Sequence, residues 1–231
     1  MIRALESTMS EESAWRTTTF NWFDAITATA DDRESQLQNS ISPSASEWPL
    51  VNLAGCDRRL FSTIAKLGRL NLLSKGKSVS RCLNAVPNIL PSTSPYSKFW
   101  PELRIINSSF SSWSLDATTP PPSFHFDPIT SSDLNHIKLR HISEAFRYAA
   151  LLYTKRLAYA SFPSSAASFQ YLPLQVLHHI EQLKPAVSLL WPFYITGIEC
   201  VNEEHRELIR KRCLFVRRDA GFLIVTTVLE L

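Results

Sequence analysis

The side chains in this chain that could do chemistry fall into small groups, and their spacing argues against each one in turn. His178 and His179 are adjacent, with Glu181 close behind, and His136 and His141 form a second local pair. A zinc site on a helix takes ligands one turn apart on a single face, whereas adjacent histidines point about 100° apart, so neither pair presents a chelate. Both are expected to be ordinary surface or core histidines. Asp31-Asp32-Arg33-Glu34 superficially matches the acidic metal-diphosphate motif of helical enzymes, but no second acidic cluster accompanies it, so a solvated loop at a helix end is expected. There is no G-x-S-x-G nucleophile elbow, no P-loop and no G-x-G-x-x-G, and only 5 glycines in 231 residues leave little material for a phosphate cradle. The stretch from Arg206 to Arg218 gathers Arg210, Lys211, Arg212, Arg217 and Arg218, which could touch phosphates. It reads first as the solvated face of a helix whose Leu208, Ile209, Cys213 and Val216 pack inward, with Glu203, Glu204 and Glu207 diluting its charge. No catalytic, cofactor-binding or metal-ligating residue is assigned on these grounds.

Composition sets the frame for the elements that hold these residues. A hydrophobic content of 45%, with 11% aromatic, is enough for a core, and 14 prolines against 5 glycines favour helices joined by proline-punctuated loops over hairpins and barrels. The formal charge of +3 and a pI near 8.7 are too mild to demand a nucleic-acid partner. Cys56, Cys82, Cys200 and Cys213 never form a C-x-x-C pair, so a reduced compartment is expected rather than a zinc knuckle or a disulfide scaffold. The N-terminal MIRALESTMSEESAWR has no apolar signal region, and the apolar runs 189–201 and 221–229 fall short of the roughly 20 residues that span a bilayer. A soluble protein is expected, in which the acceptor pattern Asn107-Ser108-Ser109 is chance.

Helical spacing organises the chain into one domain over 1–231. Phe20, Phe23 and Ile26, with Trp22 nearby, predict a helix over 15–29. Leu53, Leu60, Ile64, Leu67 and Leu70 predict a longer one from Glu47 or Trp48 to Leu73, ending at Lys75-Gly76. Between about 78 and 130, Pro/Ser-rich sequence predicts an irregular segment with short helices around Arg81–Val86 and Phe99–Phe110. Asp133 is placed as N-cap of the strongest helix, Leu134 to Ser161, with Leu134, Ile137, Ile142, Ala145, Phe146, Ala149, Leu152, Tyr153 and Leu157 on one face. Pro173 is expected to start a helix through Leu183, Pro185 to open the helix holding Trp191, and 203–216 to form a charged amphipathic one. The expected fold is all-α: a single domain of packed antiparallel helices with proline/serine-rich loops, incomplete at its C-terminus.

The most informative segment is Ser188 to Cys200, SLLWPFYITGIEC, an apolar run with Trp191-Pro192, Gly197 and a lone acid at Glu199. It reads as a buried helix that starts or kinks at Pro192, with Gly197 allowing close approach of a neighbour. With TFNWFDAITATADDRE (19–34), NLAGCDRRLFSTIAKLGRL (52–70), EAFRYAALLYTKRL (144–157) and EEHRELIRKR (203–212) in order, it resembles the regulatory domain of fungal transcription factors with a zinc binuclear cluster. The resemblance implies regulation of RNA polymerase II transcription in the nucleus, through effector sensing, dimerisation or coregulator contact, with no catalysis. It implies protein partners (coregulators or self-association), a possible small-molecule effector, no membrane, and DNA contact only through the family's six-cysteine zinc head. That head has no counterpart here, so no cofactor is expected in this chain. The competing classes are a helical enzyme or apolar-ligand carrier with a pocket at Trp191, Phe193 and Tyr194, and a nonfunctional fragment.

Overall fold

The computed structural model describes residue 20 and residues 22–30, 33–35, 56–83, 95–116 and 132–220. The described residues form helices and connections only. Helix α1 covers 22–30, followed by α2 (Arg58–Ile64), α3 (Leu67–Leu83), α4 (Pro95–Ser112), α5 (Ser132–Ala158) and α6 (Ala167–Glu181). A 3₁₀ turn, Val187–Leu189, then leads into α7 (Leu190–Glu199), and α8 (Glu203–Ala220) closes the order. The all-α expectation holds, with α5 at the centre of the packing against α2, α3, α4, α6 and α7. Helices α5 and α6 run antiparallel, since Lys155 Nζ donates to the Ser168 carbonyl near their junction while His141 meets His179 at the far end.

The helix expected from 47 or 48 to 73 is in fact two. Asp57 caps α2, its carboxylate accepting from the Arg59 and Leu60 amides at 2.9 and 3.3 Å. The chain then turns tightly at Ala65-Lys66, where the Lys66 amide donates to Thr63 O at 3.1 Å, before α3 begins. The apolar stripe that suggested one helix survives the break, because Leu60, Ile64, Leu67 and Leu70 are all buried. Lys75-Gly76 does not end the element, which runs on to Leu83; residues 47–55 lie outside the described residues.

The expected irregular segment contains the 18-residue α4, longer than the short helix placed at Phe99–Phe110. Pro95 occupies its first position, where a missing N–H costs nothing, and exposed Pro101 loses its ladder bond on the solvent side. Phe99, Leu103, Ile106 and Phe110 bury one face, and that burial outweighs the proline. Helix α6 likewise starts at Ala167 rather than at Pro173, which is buried inside it. Phe169, 1% exposed beneath the Lys155 and Arg156 cations, draws the upstream turn into the helix.

Two predicted faces are rotated or trimmed. In α1 the buried set is Trp22, Asp24, Ala25, Ala28 and Thr29, with Phe20 exposed and Phe23 and Ile26 half-buried. Helix α5 begins at Ser132, placing Asp133 inside the first turn rather than at the cap, and ends at Ala158 instead of Ser161. Leu134 and Ile137 stand exposed on the turns preceding its core contacts, whereas Ile142, Ala145, Phe146, Ala149 and Leu152 are buried.

Side-chain hydrogen bonds lock these helices in register. Asp57 also accepts from Trp113 Nε1 at 3.0 Å beyond α4, and its own amide donates to Ser143 Oγ of α5 at 3.1 Å. Thr154 Oγ1 of α5 donates to Asn107 Oδ1 of α4 at 2.8 Å. The close approach occurs at Gly68 of α3. A Cβ there would stand 2.8 Å from Ala28 Cβ and from the Arg33 carbonyl oxygen, so only glycine fits. Gly68→Ala is therefore expected to destabilise the domain by about 2 kcal/mol or more, since the clash is with backbone and a fixed methyl. Urea unfolding checks this, and a cost below about 0.5 kcal/mol would contradict the packing of α1 on α3.

Candidate functional site

The acid that stood alone in the sequence is fully engaged in the structure. Glu199, 2% exposed at the end of α7, meets Arg156 of α5 in a bidentate pair, with Nε donating to Oε1 at 2.6 Å and Nη2 to Oε2 at 2.5 Å. Ser164 Oγ donates to Oε2 at 2.7 Å, and Gln170 Nε2 reaches both the Ser164 and Glu199 carbonyls. Arg156 also donates to the Phe162 carbonyl at 2.6 Å and lies 4.4 Å above the Phe169 ring. Its hydrogen bond to Glu199 holds the guanidinium pKa above its ordinary value. A satisfied ion pair of this kind is a fastener; the carboxylate's oxygens are occupied and the arginine's donors are directed at protein.

The histidine contact that forms runs between the two local groups rather than within either of them. His141 and His179, on different helices, bring Nδ1 to Nδ1 at 3.0 Å, and Tyr148 stacks on the His179 ring. A single shared proton suits that geometry, with one imidazole donating and the other accepting. Burial, reinforced by His141, His178, Arg147 and Arg140, lowers the His179 pKa to about 4. His141 is lowered by burial, His178 and Arg140, with Glu144 opposing. No periodicity within one helix could have revealed this contact, because it depends on how α5 and α6 slide past each other. His178 remains exposed and beside His179, while His136 lies separately with a buried Nε2 that has no protein partner.

Most of the remaining candidates are absorbed by structure, while Arg217 and Arg218 stand exposed in the last turn of α8. Cys56, Cys200 and Cys213 are buried free thiols; burial raises the first well above its ordinary value, the second to about 11 and the third to about 12. None is a thiolate at neutral pH. Cys82 lies in α3, with its side chain outside the described residues. On α8, Ile209, Cys213 and Val216 pack inward as expected. Arg210 pairs with Glu203 and Glu207, Lys211 lies 3.8 Å from Glu207, and Arg212 donates to Leu183 O at 2.8 Å. Arg33 pairs with buried Asp24, and Glu34 lies 3.9 Å from Arg69; Asp31 and Asp32 are outside the described residues. Asn107 faces Thr154 across a helix interface.

Of the expected pocket residues Trp191, Phe193 and Tyr194, the first two are packed into the core and Tyr194 is half-buried. Trp191 stacks on Phe146 at 5.8 Å between centroids and donates from Nε1 to Thr29 Oγ1 at 3.0 Å, while Phe193 is fully buried. Pro192 lies in the first turn of α7, which starts at Leu190 after the 3₁₀ turn rather than opening at Pro185, and Gly197 is buried. Among the described residues no group of three His, Cys, Asp or Glu side chains is placed to hold a metal ion. No described helix is long and apolar enough to cross a membrane.

The family model described as "Fungal specific transcription factor domain" matches residues 2–222. No curated protein and no solved structure matches the chain.

Two predictions follow from the charges. Arg156→Met should cost about 3–5 kcal/mol by stranding a buried carboxylate, and adding Glu199→Gln should recover part of that loss in denaturant unfolding. The histidines give a pH dependence with a defined sign. Their folded pKa values lie below the ordinary 6.5, so the unfolded chain binds more protons as pH falls. The pair's contribution is complete above about 6.5 and declines toward 4. In urea titrations between pH 7 and 4.5, His179→Gln should flatten that decline relative to wild type.

Proposed function

The chain belongs to the fungal-specific transcription factor domain family, and from that premise we propose how its helical body acts in transcription regulation. The family supports a role in transcription regulation. The match over residues 2–222 carries the reading, since it spans α1 through α8. In our reading the domain works in the nucleus on RNA polymerase II transcription. It does so by contact with coregulators or a second copy, and effector occupancy biases its helix packing.

Three features support this role. The buried acid and the buried thiols are committed to packing, as a scaffold for contacts requires. Apolar side chains stand on outer faces, with Leu134 and Ile137 on α5 and Leu214 and Phe215 on α8, where a protein partner can cover them. The core joins α1, α5 and α7 through Thr29, Tyr153 and Trp191, so a shift of one helix is transmitted to the others. Arg210, Lys211 and Arg212 of α8 face acids or carbonyls of the chain itself, whereas Arg217 and Arg218 stand exposed in its last turn.

The test is a tethering assay in a fungal host. Fused to an unrelated DNA-binding domain, the chain should change transcription of a reporter bearing that domain's operator, upward or downward, by several-fold over the DNA-binding domain alone. Reporter output equal to that of the DNA-binding domain alone, with the fusion present at comparable level, would overturn the proposed contact.

A further inference from the structure

Helix α8 has one face in the core and one in solvent. Ile209, Cys213 and Val216 are buried, and on the opposite side Lys211, Leu214, Phe215 and Arg218 recur at i, i+3, i+4 and i+7, which places them on a single outer stripe. All four are exposed, Leu214 at 49% and Phe215 at 51%. The helix is also polarised in charge. Glu203, Glu204 and Glu207 lie at its start, whereas from Leu208 to Arg218 the bases are interrupted by no acid. The earlier bases are engaged: Arg210 pairs with Glu203 and Glu207, Lys211 lies 3.8 Å from Glu207, and Arg212 donates to the Leu183 carbonyl. Arg217 and Arg218, in the last turn, have no side-chain partner among the described residues.

We propose that the C-terminal half of α8 docks an acidic peptide segment of a protein partner, one that carries apolar side chains between its carboxylates. The proposal rests on the reading that the domain contacts coregulators, and it supplies the surface and the chemistry of the segment. Apolar side chains of the partner cover Leu214 and Phe215, and its carboxylates meet the guanidinium groups of Arg217 and Arg218. A second copy of the chain does not suit this face. An antiparallel pairing that brings Leu214 onto Phe215 also brings Lys211 onto Arg218, and a parallel pairing sets each cation against itself; like charges so placed oppose association. The phosphates of a nucleic acid would satisfy the arginines but leave Leu214 and Phe215 without a counterpart. An aromatic side chain beside arginines is the composition of a protein interface.

The experiment is fluorescence anisotropy of the full chain with a fluorescein-labelled peptide of repeated Asp-Phe-Asp-Leu units. Its controls are the Asn-Phe-Asn-Leu peptide, which lacks the charge, the Asp-Ser-Asp-Ser peptide, which lacks the apolar groups, and a labelled DNA duplex. The expected result is saturable binding of the acidic apolar peptide, with each control weaker by about ten-fold or more. Arg217→Gln with Arg218→Gln should weaken that peptide about ten-fold and leave the Asn peptide unchanged, and Leu214→Gln with Phe215→Gln should weaken both. These positions are exposed, so thermal midpoints of both double variants should stay near that of the parent chain. Absence of saturable binding, equal affinity for the Asp and Asn peptides, binding unaltered in either double variant, or a DNA duplex held as tightly as the acidic peptide would each overturn the proposal. The tethering assay reads transcription and not peptide affinity. An active fusion without peptide binding would reject this surface and leave the regulatory role standing, whereas peptide binding with an inactive fusion would reject the role and keep the surface.

Discussion

A carboxylate cannot be buried without compensation, and at Glu199 the compensation organises the surrounding fold. Its partner, Arg156, comes from the last turn of the central helix α5, so the pair sets the register between α5 and α7. The same guanidinium collects the Phe162 carbonyl and covers Phe169, while Ser164 joins the carboxylate directly. The turn between α5 and α6 is thereby tied to the end of α7. A buried ion pair brings little net stability over an apolar replacement, because desolvation offsets most of the attraction. What it supplies here is specificity: sliding either helix by one turn would leave a charge buried and unmatched.

From that fixed point the other polar contacts follow a common pattern. Thr29 accepts from Trp191 and Tyr153, Asp57 accepts from Trp113 while its amide donates to Ser143, and Asn107 accepts from Thr154. Each links helices distant in sequence, and most end on α5. Apolar packing alone is tolerant of small rotations, whereas each of these bonds has a narrow geometry and a cost if broken in a buried place. The core is thus filled by aromatic and aliphatic side chains and aligned by a small number of directional bonds.

The histidine contact shows how little of a site local sequence can convey. Adjacent His178 and His179 and nearby His136 and His141 invited comparison within each pair, yet the contact that forms is between His141 and His179. The same holds for Glu199. Its isolation on an apolar segment is visible in the chain, but its match to an arginine 43 positions earlier is a property of helix packing. The single apolar stripe from Leu60 to Leu70 concealed the break at Ala65-Lys66, since two helices with nearly continuous phase bury the same residues that one would. The prolines misled in the other direction. Pro101 and Pro173 suggested interruption or onset, and buried phenylalanines kept the flanking residues helical.

By itself, the sequence determined the helical class, the inward faces of α3, of α5 from Ile142 to Leu152 and of α8, the buried Trp-Pro helix and the family resemblance later matched over residues 2–222. These are legible because hydrophobic periodicity, proline placement and composition act over one or two helical turns, a range a linear reading covers. Tertiary structure decided which charges are neutralised, which imidazoles meet and which glycine must remain glycine. Those outcomes depend on the relative translation of helices far apart in the chain, and that translation is set by the summed burial and pairing of many side chains at once.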